Sequence, residues 1–226
     1  EREWKGMDHY LKVEETPDFG FSPDAEFPII NGEKGNTTIL LEVAGKNEGT
    51  LRLISFDSGQ RPNMVPDFAE AVVDVSGDID AFSKEYDEYL AELPVTGEVV
   101  IDGSVATVKL YGKAAHGAMP EKGINAGTYL ANFLSYYDFA APAKDFLTLV
   151  ADFVHLDTEG KKFGVDHVDE IMGALSMNAG VFVFDEKKDN NTITLNFRFP
   201  KGTTAEEIAK AIEEKVGNTS AKVILT

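Results

Sequence analysis

The group in this sequence best placed to do chemistry is a histidine set in a run of small residues. His116 lies in Ala114-Ala115-His116-Gly117-Ala118, just past a stretch that reads as a β-strand ending at Gly112. Neighbours without bulk leave an imidazole open to a ligand. An N–H held there can donate to an oxygen that gains negative charge during acyl transfer. An ordinary surface histidine would leave the same local pattern. Asp24 follows Pro23 in a proline-rich loop. A carboxylate on a stiff loop can ligate a hard or borderline cation, and an aspartate beside a turn or helix cap looks the same locally. Arg198 stands in Asn196-Phe197-Arg198-Phe199-Pro200. Its guanidinium suits a carboxylate gripped by two parallel hydrogen bonds, with a strand-edge salt bridge as the competing use. Asn63 stands in Arg61-Pro62-Asn63-Met64-Val65-Pro66, a loop stiffened by its prolines, where the amide either meets a substrate or serves a turn. His9, His155 and His167 lack metal-ligand spacing and read as surface or helix-end residues. Phe133, Tyr136 and Tyr137 read as core or interface.

These groups need elements to hold them. Trp4, Met7, Tyr10 and Leu11 recur at helical spacing, and Thr16 to Pro28 is a loop rich in Pro and Asp. Thr37–Ala44 and Leu51–Phe56 read as strands about a turn at 45–49, and Ala69–Val75 as a third. Asp78 is a candidate N-cap for a helix over Ile79–Leu93. Asp102-Gly103 marks a hairpin between Gly97–Ile101 and Val105–Tyr111. Helices are expected over Asn125–Phe139, Lys144–Leu156 and Val165–Met172. Two strands follow, Leu175–Phe184 and Thr192–Phe199, then a helix over Thr204–Val216 opened by a capping signature, and a closing strand from Ala221. Strands, hairpins and single helices in this order imply an α+β fold with antiparallel sheets and helices on one face. The tail matches the ferredoxin-like split βαβ order.

Composition sets outer bounds. The 226 residues carry 21 Lys+Arg against 39 Asp+Glu, four His and no Cys, a formal charge of −18. Without Cys there is no disulfide, thiolate zinc site or cysteine nucleophile. The acidic balance argues against binding nucleic acid, whose backbone is met by clustered Lys and Arg, and against docking on an anionic membrane. No apolar run approaches the roughly 20 residues that span a bilayer.

The stretch from Leu110 to Leu134 resembles the di-zinc metallopeptidase family that includes aminoacylase, carboxypeptidase G and succinyl-diaminopimelate desuccinylase. That family carries G-x-x-x-H-[GAS]-x-x-P-x-x-G-x-N-A in its lid domain, matched here at Gly112, His116, Gly117, Pro120, Gly123, Asn125 and Ala126. Glu1-Arg2-Glu3-Trp4, the run Phe21 to Pro28, and Asn31-Gly32-Glu33-Lys34-Gly35 narrow the resemblance to PepV-type dipeptidases, the branch cleaving Xaa-His dipeptides. The resemblance implies that His116 stabilises the tetrahedral intermediate, Arg198 binds the substrate carboxylate and Asn63 contacts substrate. It also implies that Asp24 and Glu1 are metal ligands, with Glu3 an alternative to Glu1 in register.

On this resemblance, residues 1–33 are a remnant of the catalytic metallopeptidase domain. Residues 34–226 are a ferredoxin-like lid, with two lobes expected at 34–95 and 96–226. The implied parent enzyme holds two zinc ions, with Mn or Co as substitutes, takes a dipeptide substrate, and is a cytoplasmic monomer. The H-x-D motif, the bridging Asp, the Glu base and a further His of the family's zinc site fall outside the chain. The chain is therefore expected to be an inactive, lid-containing fragment; a processed or trimmed domain is the alternative. Two other readings stay open: the lid of an N-acyl amino acid deacylase, and a stand-alone ferredoxin-like binding or dimerisation module.

Overall fold

A computed structural model describes residues 5–20, 30, 32–45, 49–189 and 191–226. Two compact units are distinguished, Glu1–Gly32 and Glu33–Thr226. The first contains the helix α1 (Lys5–Val13), whose apolar Met7, Tyr10, Leu11 and Val13 are all exposed.

The second unit is built on twelve strands and four helices among its described residues. In chain order these are β1 (Gly35–Val43), β2 (Arg52–Ser58), β3 (Met64–Val65), β4 (Phe68–Asp74), α2 (Ile79–Ala91), β5 (Thr96–Asp102) and β6 (Val105–Tyr111). Then come β7 (Ala115–His116), α3 (Ala126–Leu134), α4 (Ala143–Phe153), β8 (Val168–Asp169), β9 (Gly173–Ala174), β10 (Ser176–Asp185), β11 (Asn191–Phe199), α5 (Ala205–Val216) and β12 (Ala221–Leu225). Eight strands form one sheet in the order β12-β1-β11-β10-β2-β4-β6-β5, antiparallel at every pairing. The architecture is the α+β class expected.

Period-two alternation decides which face is packed. Ile39, Leu41 and Val43 of β1, Ala69, Ala71 and Val73 of β4, and Ala106, Val108 and Leu110 of β6 are fully buried beneath the helices. Helix α3 lies on β4 and β6, α4 on β11, α5 on β12 and β1, and α2 on β5. Phe56, Phe146, Phe182 and Phe184 pack edge to face or tilted at the middle of the sheet. The helix starts are capped as their sequences indicate: Asp78 accepts from Ala81 N–H, Asn125 from Thr128 N–H, and Thr204 with Glu207 forms a full capping box.

The half-sheet β12-β1-β11-β10 has α4 leading into β10 and α5 joining β11 to β12, the ferredoxin-like order expected of the tail. The half-sheet β2-β4-β6-β5 repeats that spatial order with a permuted connection. Helix α2 joins β4 to β5, α3 leaves β6, and the outer place beside β4 is taken by β2, which precedes it in the chain. The second half is inserted between β1 and α4 of the first, so residue 95 lies inside one half and not between the two.

One element differs in type from its expectation, and another in length. The segment 165–172, read as a helix, contains the short strand β8 and a turn instead. Asp169 Oδ1 accepts from the N–H groups of both Ile171 and Met172, an Asx turn that outcompetes a helical bond at that point, and Gly173 follows at φ +76°. The helix expected to run to Phe139 stops at Leu134. Among the described residues no helix is long and apolar enough to cross a membrane.

Candidate functional site

His116 is carried on a short strand that leaves the sheet edge and pairs with a second loop. After β6 the chain turns at Gly112, whose N–H donates to Asp67 O, and Lys113 bridges to Ile124. Strand β7 then pairs with β3, setting His116 opposite Met64 and Ala115 opposite Val65. The pairing continues into a 2.8 Å bond from Gly117 N–H to Asn63 O. A turn closed by Met119 N–H to His116 O, and a 3-10 turn at Pro120–Lys122, lead into α3. The motif residues are thus explained as structure. A Cβ on Gly112 would strike Ile124 O, and one on Gly117 would approach the Asn63 backbone to 2.9 Å. Asn125 caps α3 with Oδ1 and donates through Nδ2 to Ala179 O at 2.7 Å, fixing the helix start to β10.

The His116 ring is exposed, and its Nδ1 accepts from Ala118 N–H at 3.1 Å. That bond selects the tautomer in which Nε2 carries the proton, the state needed to donate to an oxyanion. The segments carrying Asn63 and His116 are therefore neighbours on one small antiparallel ladder.

The loop bearing Asn63 is seated on β10. Strand β10 bulges between Ala179 and Val181, and Gly180 sits in the bulge, where a Cβ would meet the carbonyl oxygens of Arg61 and Pro62. Asn178, 1% exposed, donates from Nδ2 to Pro62 O at 2.7 Å and to Met64 O at 2.9 Å. Sequence reasoning missed both residues. The signal for the bulge was present, since an isolated glycine inside a strand pattern marks one.

Arg198 lies on β11, an interior strand, so the strand-edge salt bridge does not apply. It pairs with Asn36 on one side and Ser176 on the other. Two residues along, Asn196 pairs with Asn178, so Arg198, Ser176, Asn196 and Asn178 share the face of the sheet away from the helices. Among the described residues Arg198 makes no ion pair. Of five buried side-chain polar atoms without a hydrogen-bond partner among them, four belong to this patch: Ser176 Oγ, Asn178 Oδ1, Asn196 Oδ1 and Arg198 Nε. Buried polar atoms are seldom left unpaired, and four of them lie together on this face. No hydrogen bond among the described residues joins Arg198 to His116 or Asn63; Asn178, on the same sheet face as Arg198, bonds to the carbonyls on either side of Asn63.

A cleft of about 210 Å³ opens beside the Asn63 loop, lined by residues that include Val65, Asn125, Thr128, Tyr129, Asp157 and Asn178. His155 lies next to it just past the end of α4, the helix-end placement expected, and is buried. Its Nδ1 is 3.3 Å from Thr128 Oγ1 and its ring meets Tyr129 edge-on. Burial first, then the Lys162 charge, pushes its pKa down to about 4, so it is neutral at physiological pH. His167 faces Lys201 O at 3.0 Å, His9 is exposed on α1, and Tyr136 is 71% exposed.

Asp24 and Glu1, the metal ligands implied by resemblance, lie outside the described residues. Among those described, no group of three or more His, Asp or Glu could hold a metal ion.

No family model matches the chain. It is 39% identical over 219 residues to the Beta-Ala-Xaa dipeptidase of Lactobacillus delbrueckii subsp. lactis, covering 95% of this chain and 46% of that protein. It is 38% identical over 211 residues to a "Putative dipeptidase" of Staphylococcus saprophyticus, covering 92% of this chain and 45% of that protein. The chain is similar to these dipeptidases over more than nine-tenths of its own length. It spans about half the length of these dipeptidases. Among solved structures, aminoacylhistidine dipeptidase from Vibrio alginolyticus aligns at 12% identity with a TM-score of 0.35, over 86% of this chain and 44% of that one.

Proposed function

We propose that residues 34–226 are the lid half of a zinc-dependent dipeptidase acting on Xaa-His-type dipeptides, and that residues 1–33 belong to its catalytic half. The observation that supports the reading is the ladder between the Asn63 and His116 segments: the Gly117 N–H to Asn63 O bond and the His116–Met64 pairing bring the two stretches together, with His116 Nδ1 accepting from Ala118 N–H. His116 donates to the oxyanion of the tetrahedral intermediate. Arg198 grips the terminal carboxylate of the dipeptide, and Asn63 orients the substrate. Zinc, when bound by the rest of the enzyme with Asp24 and Glu1, would activate the attacking water. Closure of the lid brings these donors to the bond being cleaved and excludes solvent.

The chain alone is expected to hydrolyse no dipeptide with zinc or manganese added. The full-length polypeptide is expected to do so and to lose that activity to a chelator. Zinc-dependent turnover by the isolated chain would refute the division of labour, and an inactive full-length protein would refute the dipeptidase reading.

A further inference from the structure

Asn178 is buried at the centre of the sheet, yet its amide is only half satisfied. Both Nδ2 hydrogens are used, on Pro62 O and Met64 O, while Oδ1 is buried without a partner among the described residues. An orphaned buried carbonyl is costly, and a leucine of similar size would avoid it. The two carbonyls that Asn178 holds flank Asn63 in sequence. Met64 in turn pairs with His116, and Asn63 O receives Gly117 N–H. The bulge at Gly180 lets the loop come close enough for both bonds to form.

We infer that Asn178 is the positioning residue of this site: by clamping the carbonyls on either side of Asn63 it sets the Asn63 amide and, through β3 and β7, the His116 imidazole. The catalytic consequence rests on the dipeptidase reading above; the geometric one stands on this chain alone.

Two measurements test it. In the isolated chain, Asn178→Leu is expected to lower hydrogen-exchange protection of Gly117 N–H at least tenfold, leaving Gly112 N–H and the β6 amides unchanged. Asn178→Ser, whose hydroxyl is too short to reach both carbonyls, should do the same and serves if the leucine variant does not fold. Unchanged protection at Gly117, or an equal loss at every amide, overturns the inference. In the full-length protein, Asn178→Leu is expected to lower kcat ten- to a hundredfold, and to have almost no further effect in a His116→Ala background. A control at the exposed Tyr136, changed to Ala, should add independently. Additive losses for Asn178 and His116 overturn the inference. A wild-type full-length protein with no dipeptidase activity sinks the proposed function instead, and the exchange result then decides the role of Asn178.

Discussion

His116 and Arg198 make different demands on a substrate, and their variants should separate in kinetics. A donor to the oxyanion acts mainly in the transition state. In the full-length protein His116→Ala should therefore lower kcat by about 10²–10³ with little change in KM; an unaltered kcat would reject the role. A guanidinium that grips a carboxylate acts in the ground state as well. Arg198→Lys keeps the charge but loses the planar fork, so KM should rise by about tenfold or more while kcat falls less; an unchanged KM would reject carboxylate binding. His155 makes a third demand, on pH. Its folded pKa of about 4 lies below the unfolded 6.5, so between these values the unfolded chain binds the extra proton. Its contribution is complete above about pH 6.5 and is lost as pH falls toward 4, by roughly 1 kcal/mol per unit once residual solvation is discounted. Urea midpoints at pH 7 and pH 5 should differ more for the parent than for His155→Gln. Equal differences would mean that another group carries the acid sensitivity.

The loop from Gly59 to Pro66 is held by a bulge, a buried amide and a two-residue ladder, and this element sets the accuracy of the site. Gly180→Ala introduces a Cβ where Arg61 O and Pro62 O already sit. The loop must lift or β10 must shift, at about 1–3 kcal/mol. The variant should lose stability in urea and lose activity in the full-length protein; retention of both would mean that the loop is not seated on the bulge. How much of this could be read beforehand follows from range. Asp78, Thr204 and Asp102-Gly103 act within four residues, and each produced the element its sequence indicates. The G-x-x-x-H motif singled out His116, and Asn63 was singled out by the resemblance alone. That these two stretches, some 50 residues apart, form one ladder was not legible, because a pairing of two residues leaves no hydrophobic period. Asn178 was not legible: its role depends on carbonyls 114 and 116 residues away. Residues 165–172 were misread because a helical spacing of apolar residues says nothing of a side-chain carboxylate that competes for the same backbone N–H groups.

At the scale of the whole second unit, the interleaved chain path has a thermodynamic consequence. The inserted half, β2 to α3, is entered from β1 and left into α4, so both of its ends belong to the other half. The halves share the β10–β2 ladder, from Phe182↔Ser58 to Asp185↔Ser55. Beneath it Phe56 packs at 5.6 Å from Phe146 and 6.2 Å from Phe182, centroid to centroid, joining a strand of one half to a helix and a strand of the other. Unfolding either half alone would expose this aromatic seam and strip the hydrogen bonds from a central strand of a continuous sheet. The unit should therefore unfold in urea as one transition, with far-ultraviolet and tyrosine near-ultraviolet signals superimposed. Phe56→Ala removes a fully buried ring and should cost about 3–5 kcal/mol. Because the seam couples the halves, that loss should move the single midpoint down with the slope retained. Two resolved transitions in the parent would show that the ferredoxin-like halves fold independently and that the sheet joins them only loosely. Two transitions in Phe56→Ala alone would identify this ring as the coupling itself.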